Sequence, residues 1–268
     1  MRNRLTDELA VCGMNAALAV GQYHPLSINR LFLREDRLYS FTDICKQLAE
    51  RKRPYKICED EELERICKSV HHQGVVVMIE EPVIEPLSLE DLDMWADEGK
   101  TGVILHSVGN DHNLGAVARA AAFFDVSFIV LNEKDTAFTQ GTIESSVPRL
   151  TTSAYRVAEG GLEHLTIRRV TNTAAFLKDA SRRLVTIGTD TRARRRIGDL
   201  DGIVKSSKVK ASAKRHGIAL VLGNEETGLP KEVKDQCSCL LRIPGTGVIE
   251  SLNVSQAAAL FFNAIYDL

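Results

Sequence analysis

Five polar side chains stand where this chain could do chemistry. Asn113 and Arg119 lie in the run Val108-Gly109-Asn110-Asp111-His112-Asn113-Leu114-Gly115-Ala116-Val117-Ala118-Arg119, Glu225 lies in Leu222-Gly223-Asn224-Glu225-Glu226-Thr227-Gly228, and Ser251 and Asn253 lie in Ile243-Pro244-Gly245-Thr246-Gly247-Val248-Ile249-Glu250-Ser251-Leu252-Asn253-Val254-Ser255. Glycine lets backbone approach a ligand closely, and a hydroxyl or amide at the start of a helix sits beside unpaired N–H groups. An arginine in an Ala-rich helix is costly to desolvate unless it meets an anion. Arg119 therefore reads as a phosphate or substrate clamp, with Gly115 and Ala116 on its helical face leaving it room, or as a surface arginine over packed alanines. Glu225 reads as a catalytic carboxylate, a turn cap or an arginine partner. Asn113 suits a helix N-cap, and Asn253 reads as a site amide or as a plain N-cap. The pattern is not a P-loop, because no Lys-Ser/Thr pair follows the glycines.

Each run must be held by a strand. Short apolar stretches predict strands at Val103–His106, Phe128–Val130, Leu184–Ile187, Ala219–Leu222 and Leu240–Ile243, with helices at Leu114–Phe124, Ala174–Arg182 and Ser255–Asp267. Alternating short strands and helices predict an α/β fold with a mostly parallel sheet covered on both faces. The first 82 residues read as a smaller α/β unit. Its predicted helices are Asp7–Val20, Phe41–Arg51 and Glu61–Ser69, and its predicted strands are Ile28–Leu33 and Gly74–Ile79. Residues 83–100, with Pro86 and six acids against one lysine, read as an acidic linker holding a short helix that Ser88 caps.

Charge is unevenly spread behind a net −2. Residues 168–215 hold 14 Lys and Arg against four acids, a basic stretch suited to a polyanion. The six cysteines show no zinc spacing, which predicts reduced thiols in a cytoplasmic protein without a metal. No run is long and apolar enough for a membrane helix.

The three polar runs, in this order, resemble the three sequence motifs of the TrmH/SpoU family of RNA ribose 2′-O-methyltransferases, within the SPOUT superfamily. The resemblance covers about residues 101–268, and residues 5–81 resemble the L30e-like substrate-binding domain that some members carry in front. The family often has Met after the Ile-Pro pair, where this chain has Gly245, and the basic stretch before the second motif is longer than expected. Both differences bear on substrate identity.

The resemblance implies a SPOUT-type domain at 101–268 with a C-terminal trefoil knot, preceded by the L30e-like domain at 1–82. It implies S-adenosyl-L-methionine held near Gly223, Ile243 and Leu252, with Thr189 alongside. Arg119 would be central to catalysis, with Asn113, Glu225, Ser251 and Asn253 shaping the ribose and phosphate site. The expected activity is methyl transfer to a ribose 2′-hydroxyl of ribosomal or transfer RNA, by a homodimer joined through knot and C-terminal helix surfaces. Ala257, Ala258, Leu260, Phe261, Phe262 and Ile265 are the apolar residues of that helix. The alternatives are a non-catalytic RNA-binding or assembly factor on the same fold, and an RNA base methyltransferase. Arginine is normally always protonated, so Arg119 acts either as a charge that holds an RNA phosphate or as a transiently deprotonated base.

Overall fold

A computed structural model describes residues 2–3, 8–133, 149–209 and 215–268. In chain order the elements are β1 (Arg2–Asn3), β2 (Glu8–Cys12), α1 (Met14–Tyr23), β3 (Ile28–Leu33), α2 (Thr42–Glu50), β4 (Tyr55–Ile57), α3 (Asp60–Cys67), β5 (Val75–Glu80), β6 (Glu85–Pro86), α4 (Leu89–Asp97), β7 (Thr101–Leu105), α5 (Asp111–Phe123) and β8 (Phe128–Asn132). They continue with α6 (Thr152–Ala158), β9 (Thr166–Val170), α7 (Thr173–Ala180), β10 (Val185–Thr189), β11 (Arg195–Arg196), α8 (Leu200–Lys205), β12 (Ile218–Leu222), α9 (Lys231–Lys234), β13 (Cys239–Arg242) and α10 (Val254–Tyr266). The chain forms two units. One comprises residues 1–83, 114–119 and 149–164, the other residues 84–113, 120–148 and 165–268.

The first unit carries a five-stranded sheet in the order β1-β2-β5-β3-β4. Its pairs are antiparallel except β3–β4. The predicted helix Asp7–Val20 is corrected here; Asp7 itself lies outside the described residues. Leu9 to Cys12 form the buried strand β2 against Val76–Ile79, and the helix starts only at Met14. Leu9, Cys12, Ala16 and Ala19 do fit a helical period. However, burial of both faces of Leu9-Ala10-Val11-Cys12 beside the Val- and Ile-rich β5 favours an extended chain. Cys12, Cys45, Cys58, Cys67, Cys237 and Cys239 are all free thiols. Helix α6 packs against β2 and α1, so a segment distant in sequence completes this unit.

The second unit holds an eight-stranded sheet in the order β11-β13-β10-β12-β7-β8-β9-β6, and every described pairing in it is parallel. β7, β8, β10 and β12 are buried almost throughout, which explains why they read as unbroken apolar runs. The acidic segment departs from its reading as a linker. From Ile84 onward it belongs to this unit: β6 pairs with β9, and Leu92 and Trp95 enter the core, where Trp95 stacks on Phe128 at 3.7 Å. Ser88 caps α4 as predicted, in a reciprocal bond with Asp91. The acids meet the basic stretch. Asp91 lies 3.1 Å from Arg168 and Asp93 lies 2.5 Å from Arg183. Burial works against the Asp91 carboxylate, but the Arg168 guanidinium and the Ser88 contacts outweigh it and hold this acid below the usual range.

In α10, Ala258, Phe261, Phe262 and Ile265 are buried within their own chain, so four of the six residues expected on a dimer surface serve the core instead. Leu260 and Tyr266 stay exposed, as does Phe123 of α5. No described helix is long and apolar enough to cross a membrane.

One buried acid in the first unit makes stability depend on pH. Glu163 has a side chain only 5% exposed, its Oε2 lies 3.0 Å from the largely exposed His24, and its Oε1 has no hydrogen-bond partner among the described residues. Burial pushes its carboxyl up from 4.5 to about 7. Between those values the folded chain keeps a proton that the unfolded chain has lost, so stability falls as pH rises through this window and levels off above it. Glu163→Gln removes the buried charge. Relative to the parent, the variant should gain up to roughly 3 kcal/mol on moving from pH 4.5 to pH 8, measured by urea unfolding at both pH values.

Candidate active site

Because β7, β10, β12 and β13 run parallel, the loops leaving them open on one edge of the sheet. The strand order also reverses here. From β7 the chain builds outward through β8 and β9, whereas β12, β10 and β13 lie on the other side of β7. In open α/β sheets ligands bind at such a reversal, beyond the carboxyl ends of the strands. Asn113 follows β7, Gly223 and Glu225 follow β12, Thr189 ends β10, and Ile243, Ser251, Leu252 and Asn253 follow β13.

One side chain ties three of these loops together. Asn113 Nδ2 donates to Glu225 Oε1, and Asn113 Oδ1 accepts from Asn253 Nδ2 at 3.0 Å. The expected N-cap role of Asn113 is corrected: Asn110 caps α5 by accepting from the His112 N–H at 2.9 Å. Asn113 lies inside the first turn and is nearly buried, which frees its amide to bridge. Asn253 caps its helix as read and also reaches a second loop. Its Oδ1 caps α10 through the Ser255 N–H at 2.9 Å while its Nδ2 reaches Asn113. Glu225 thus serves as the acceptor that orients Asn113.

The remaining cofactor candidates lie around this node. Thr189 Oγ1 donates to the Val221 carbonyl at 3.1 Å, tying the end of β10 to β12. Ile243 is half-buried, Leu252 is 44% exposed, and Ser251 is exposed. A sulfonium nucleoside needs apolar surface and backbone donors more than charge. Ile243 and Leu252 supply the first, and the loop after β13 offers open space at Gly245 and Gly247. The apolar residues and the open glycine loop therefore fit such a cofactor. No metal-holding cluster of His, Cys, Asp or Glu occurs among the described residues.

Gly223 is required by the packing of its own loop. A Cβ there would lie 2.4 Å from the Gly228 carbonyl carbon and 2.6 Å from the Leu229 nitrogen. Asn224, given no role from the sequence, organises that loop. Its Oδ1 accepts from the N–H groups of Glu226 and Thr227, and its Nδ2 donates to the Ser107 carbonyl at 3.1 Å. The Asn-x-x-x-Gly spacing was the available signal, since Asn side chains build turns of this kind. Ser107 holds φ 56°, a left-handed conformation that a non-glycine residue adopts at a cost.

Arg119, further along α5, is held by a different partner. Its Nη1 lies 2.9 Å from Glu159 Oε1, and its side chain is 59% exposed. The view that Gly115 gives the guanidinium room is corrected. A Cβ at Gly115 would come within 2.6 Å of the Ala154 carbonyl oxygen, so this glycine lets α5 and α6 approach closely.

The sequence pattern of the SpoU rRNA Methylase family matches residues 100–263, and that described as RNA 2′-O ribose methyltransferase substrate binding matches residues 10–83. The Bacillus subtilis protein YacO, named as a TrmH-family tRNA/rRNA methyltransferase, is 31% identical over 73% of this chain and 70% of its own length. A Bordetella pertussis protein named as the 23S rRNA (guanosine-2′-O-)-methyltransferase RlmB is 28% identical over 93% of both chains. In fold, the chain is similar to an AdoMet-bound rRNA methyltransferase from Sinorhizobium meliloti, with a TM-score of 0.71 at 21% identity over 97% of this chain and 87% of that one.

Since the Gly223 position faces backbone, a side chain there must push the loop apart. Gly223→Val should destabilise the protein by about 1–3 kcal/mol, read as a shift in the urea midpoint. Gly245→Ala, which enters open space, should leave that midpoint unchanged.

Proposed function

The chain belongs to the SpoU rRNA methylase family, whose members are S-adenosylmethionine-dependent RNA methyltransferases, and from that membership we propose that it methylates a ribose 2′-hydroxyl of ribosomal or transfer RNA. The observation that carries this reading is the Asn113 bridge, which joins one side chain from each of the three motifs at the switch point of a parallel sheet. The match of residues 10–83 to a 2′-O-ribose substrate-binding pattern supports ribose over base chemistry. The relatives named RlmB make a 23S rRNA guanosine the first target to examine.

The cofactor would lie against the loops carrying Gly223, Ile243 and Leu252 beside Thr189, and when bound it supplies an electrophilic methyl group. The chain's own residues have two tasks: to align the 2′-oxygen with that methyl and to ease loss of its proton. The Asn113–Glu225–Asn253 network offers fixed amide groups for alignment, and Ser251 adds a hydroxyl on the same loop as Asn253. A guanidinium paired with a carboxylate is a cation, so Arg119 acts as a charge that holds an RNA phosphate rather than as a base. The 2′-hydroxyl would give up its proton to solvent or to the held phosphate.

Within the basic stretch, Arg168, Arg169 and Arg183 are engaged by Asp91, Glu133 and Asp93. Arg192, Arg194, Arg195 and Arg196 are exposed next to and on the edge strand β11, and they supply the sequence-independent attraction to RNA. Residues 210–214 of that stretch lie outside the described residues. The trefoil knot and a homodimer using exposed Leu260, Tyr266 and Phe123 are part of the same proposal.

Mapping 2′-O-methylation in total RNA from cells with and without this protein tests the activity; an identical map would refute it. Arg119→Ala should slow single-turnover methyl transfer by at least about a hundredfold with cofactor affinity unchanged, and Arg119→Lys should fail similarly because an ammonium lacks the planar fork. Replacing Arg194, Arg195 and Arg196 with Ala should reduce the salt slope of binding to single-stranded RNA by up to roughly two. An unchanged slope would show that these side chains only meet solvent.

A further inference from the structure

Arg119 is held by a turn that none of the three motifs contains. The turn is Glu159-Gly160-Gly161, directly after α6. Glu159 closes that helix with its N–H bonded to the Tyr155 carbonyl, at φ 47° and ψ 43°. This left-handed position is one that helices usually give to glycine or asparagine. Glycine was accessible to the chain, since the next two residues are glycines. The glutamate is therefore explained by its side chain and not by its backbone.

That side chain has two partners. Oε1 lies 2.9 Å from Arg119 Nη1, and Oε2 accepts from Asn15 Nδ2 at 3.3 Å. The two glycines fix the carboxylate's position. A Cβ at Gly160 would meet Ala19 Cβ at 2.9 Å, and a Cβ at Gly161 would meet the Ala118 carbonyl oxygen at 2.8 Å and Arg119 Cα at 3.0 Å. The turn is thus seated on the backbone of Arg119 itself while its carboxylate grips the same residue's guanidinium.

Accepting the role given to Arg119 above, we propose that Glu159 is a positioning residue for the methyl-transfer reaction. It holds one edge of the Arg119 guanidinium so that the cation is oriented before RNA arrives, and Asn15 holds Glu159 in turn. An exposed arginine samples many rotamers, and fixing one of them lowers the ordering cost of meeting a phosphate in the transition state. The pair is partly exposed, so its role lies in orientation more than in stability.

Glu159→Gly and Glu159→Gln separate the fold from the function. The glycine variant suits the left-handed backbone, so its melting temperature should not fall. Both variants should lower kcat by about tenfold, the scale of a lost orientation, without raising KM for RNA and with cofactor affinity intact. On an Arg119→Ala background, Glu159→Gly should have no further effect. Normal kcat in Glu159→Gly while Arg119→Ala is inactive would overturn the positioning role alone. An additive loss in the double variant would also overturn it, because Glu159 would then act independently of Arg119. Near-normal transfer by Arg119→Ala would overturn the role of Arg119 and this proposal with it.

Discussion

Parallel alignment is the constraint on which the rest of the second unit depends. Strands that run the same way end on the same edge, so residues more than a hundred positions apart leave the sheet side by side. Hydrogen bonding continues just past the strand ends. The His106 N–H donates to the Leu222 carbonyl, and the Asp190 N–H donates to the Leu241 carbonyl. The loops therefore begin at fixed positions, and a short amide such as Asn113 can reach two of them. An antiparallel partner at β7 would send the second motif to the opposite edge and break the network.

Much of this was legible in the sequence because buried parallel strands write themselves as apolar runs. The predicted strands at 103, 128, 184, 219 and 240 match β7, β8, β10, β12 and β13 within a few residues. β9 was missed because Thr166-Ile167-Arg168-Arg169-Val170 carries two arginines, whose carboxylate partners Asp91 and Glu133 lie far away in sequence. The helix predicted over Leu9–Cys12 failed for a related reason: periodicity cannot distinguish a helix from a strand buried on both faces. Within the site, residue types were readable but partners were not. Asn113 looked like a cap because caps are local, whereas its bonds run to residues 225 and 253. Glu159 carried no motif signal at all. Its meaning comes from the chain folding back on Arg119.

The acids and bases of the second unit form one electrostatic system. The acidic segment after residue 83 pairs with Arg168 and Arg183 of the basic stretch, while the later arginines, from Arg192 to Arg196, remain exposed at the sheet edge. Net charge near zero thus coexists with a locally cationic face. A phosphate backbone would be drawn to that edge and not to the chain as a whole, and salt would screen the attraction within about 10 Å.

The first unit is not contiguous in sequence, and this affects how it can be made. Its sheet strands all end by Glu80, yet α6, which covers β2, comes after residue 150. During synthesis from the N-terminus, the sheet emerges long before its covering helix. Throughout that interval the side of β2 that receives α6 is wet apolar surface, open to holding chaperones and to neighbouring nascent chains. Slowing translation between β5 and α6 would lengthen this exposure, whereas slowing it after His164 would not.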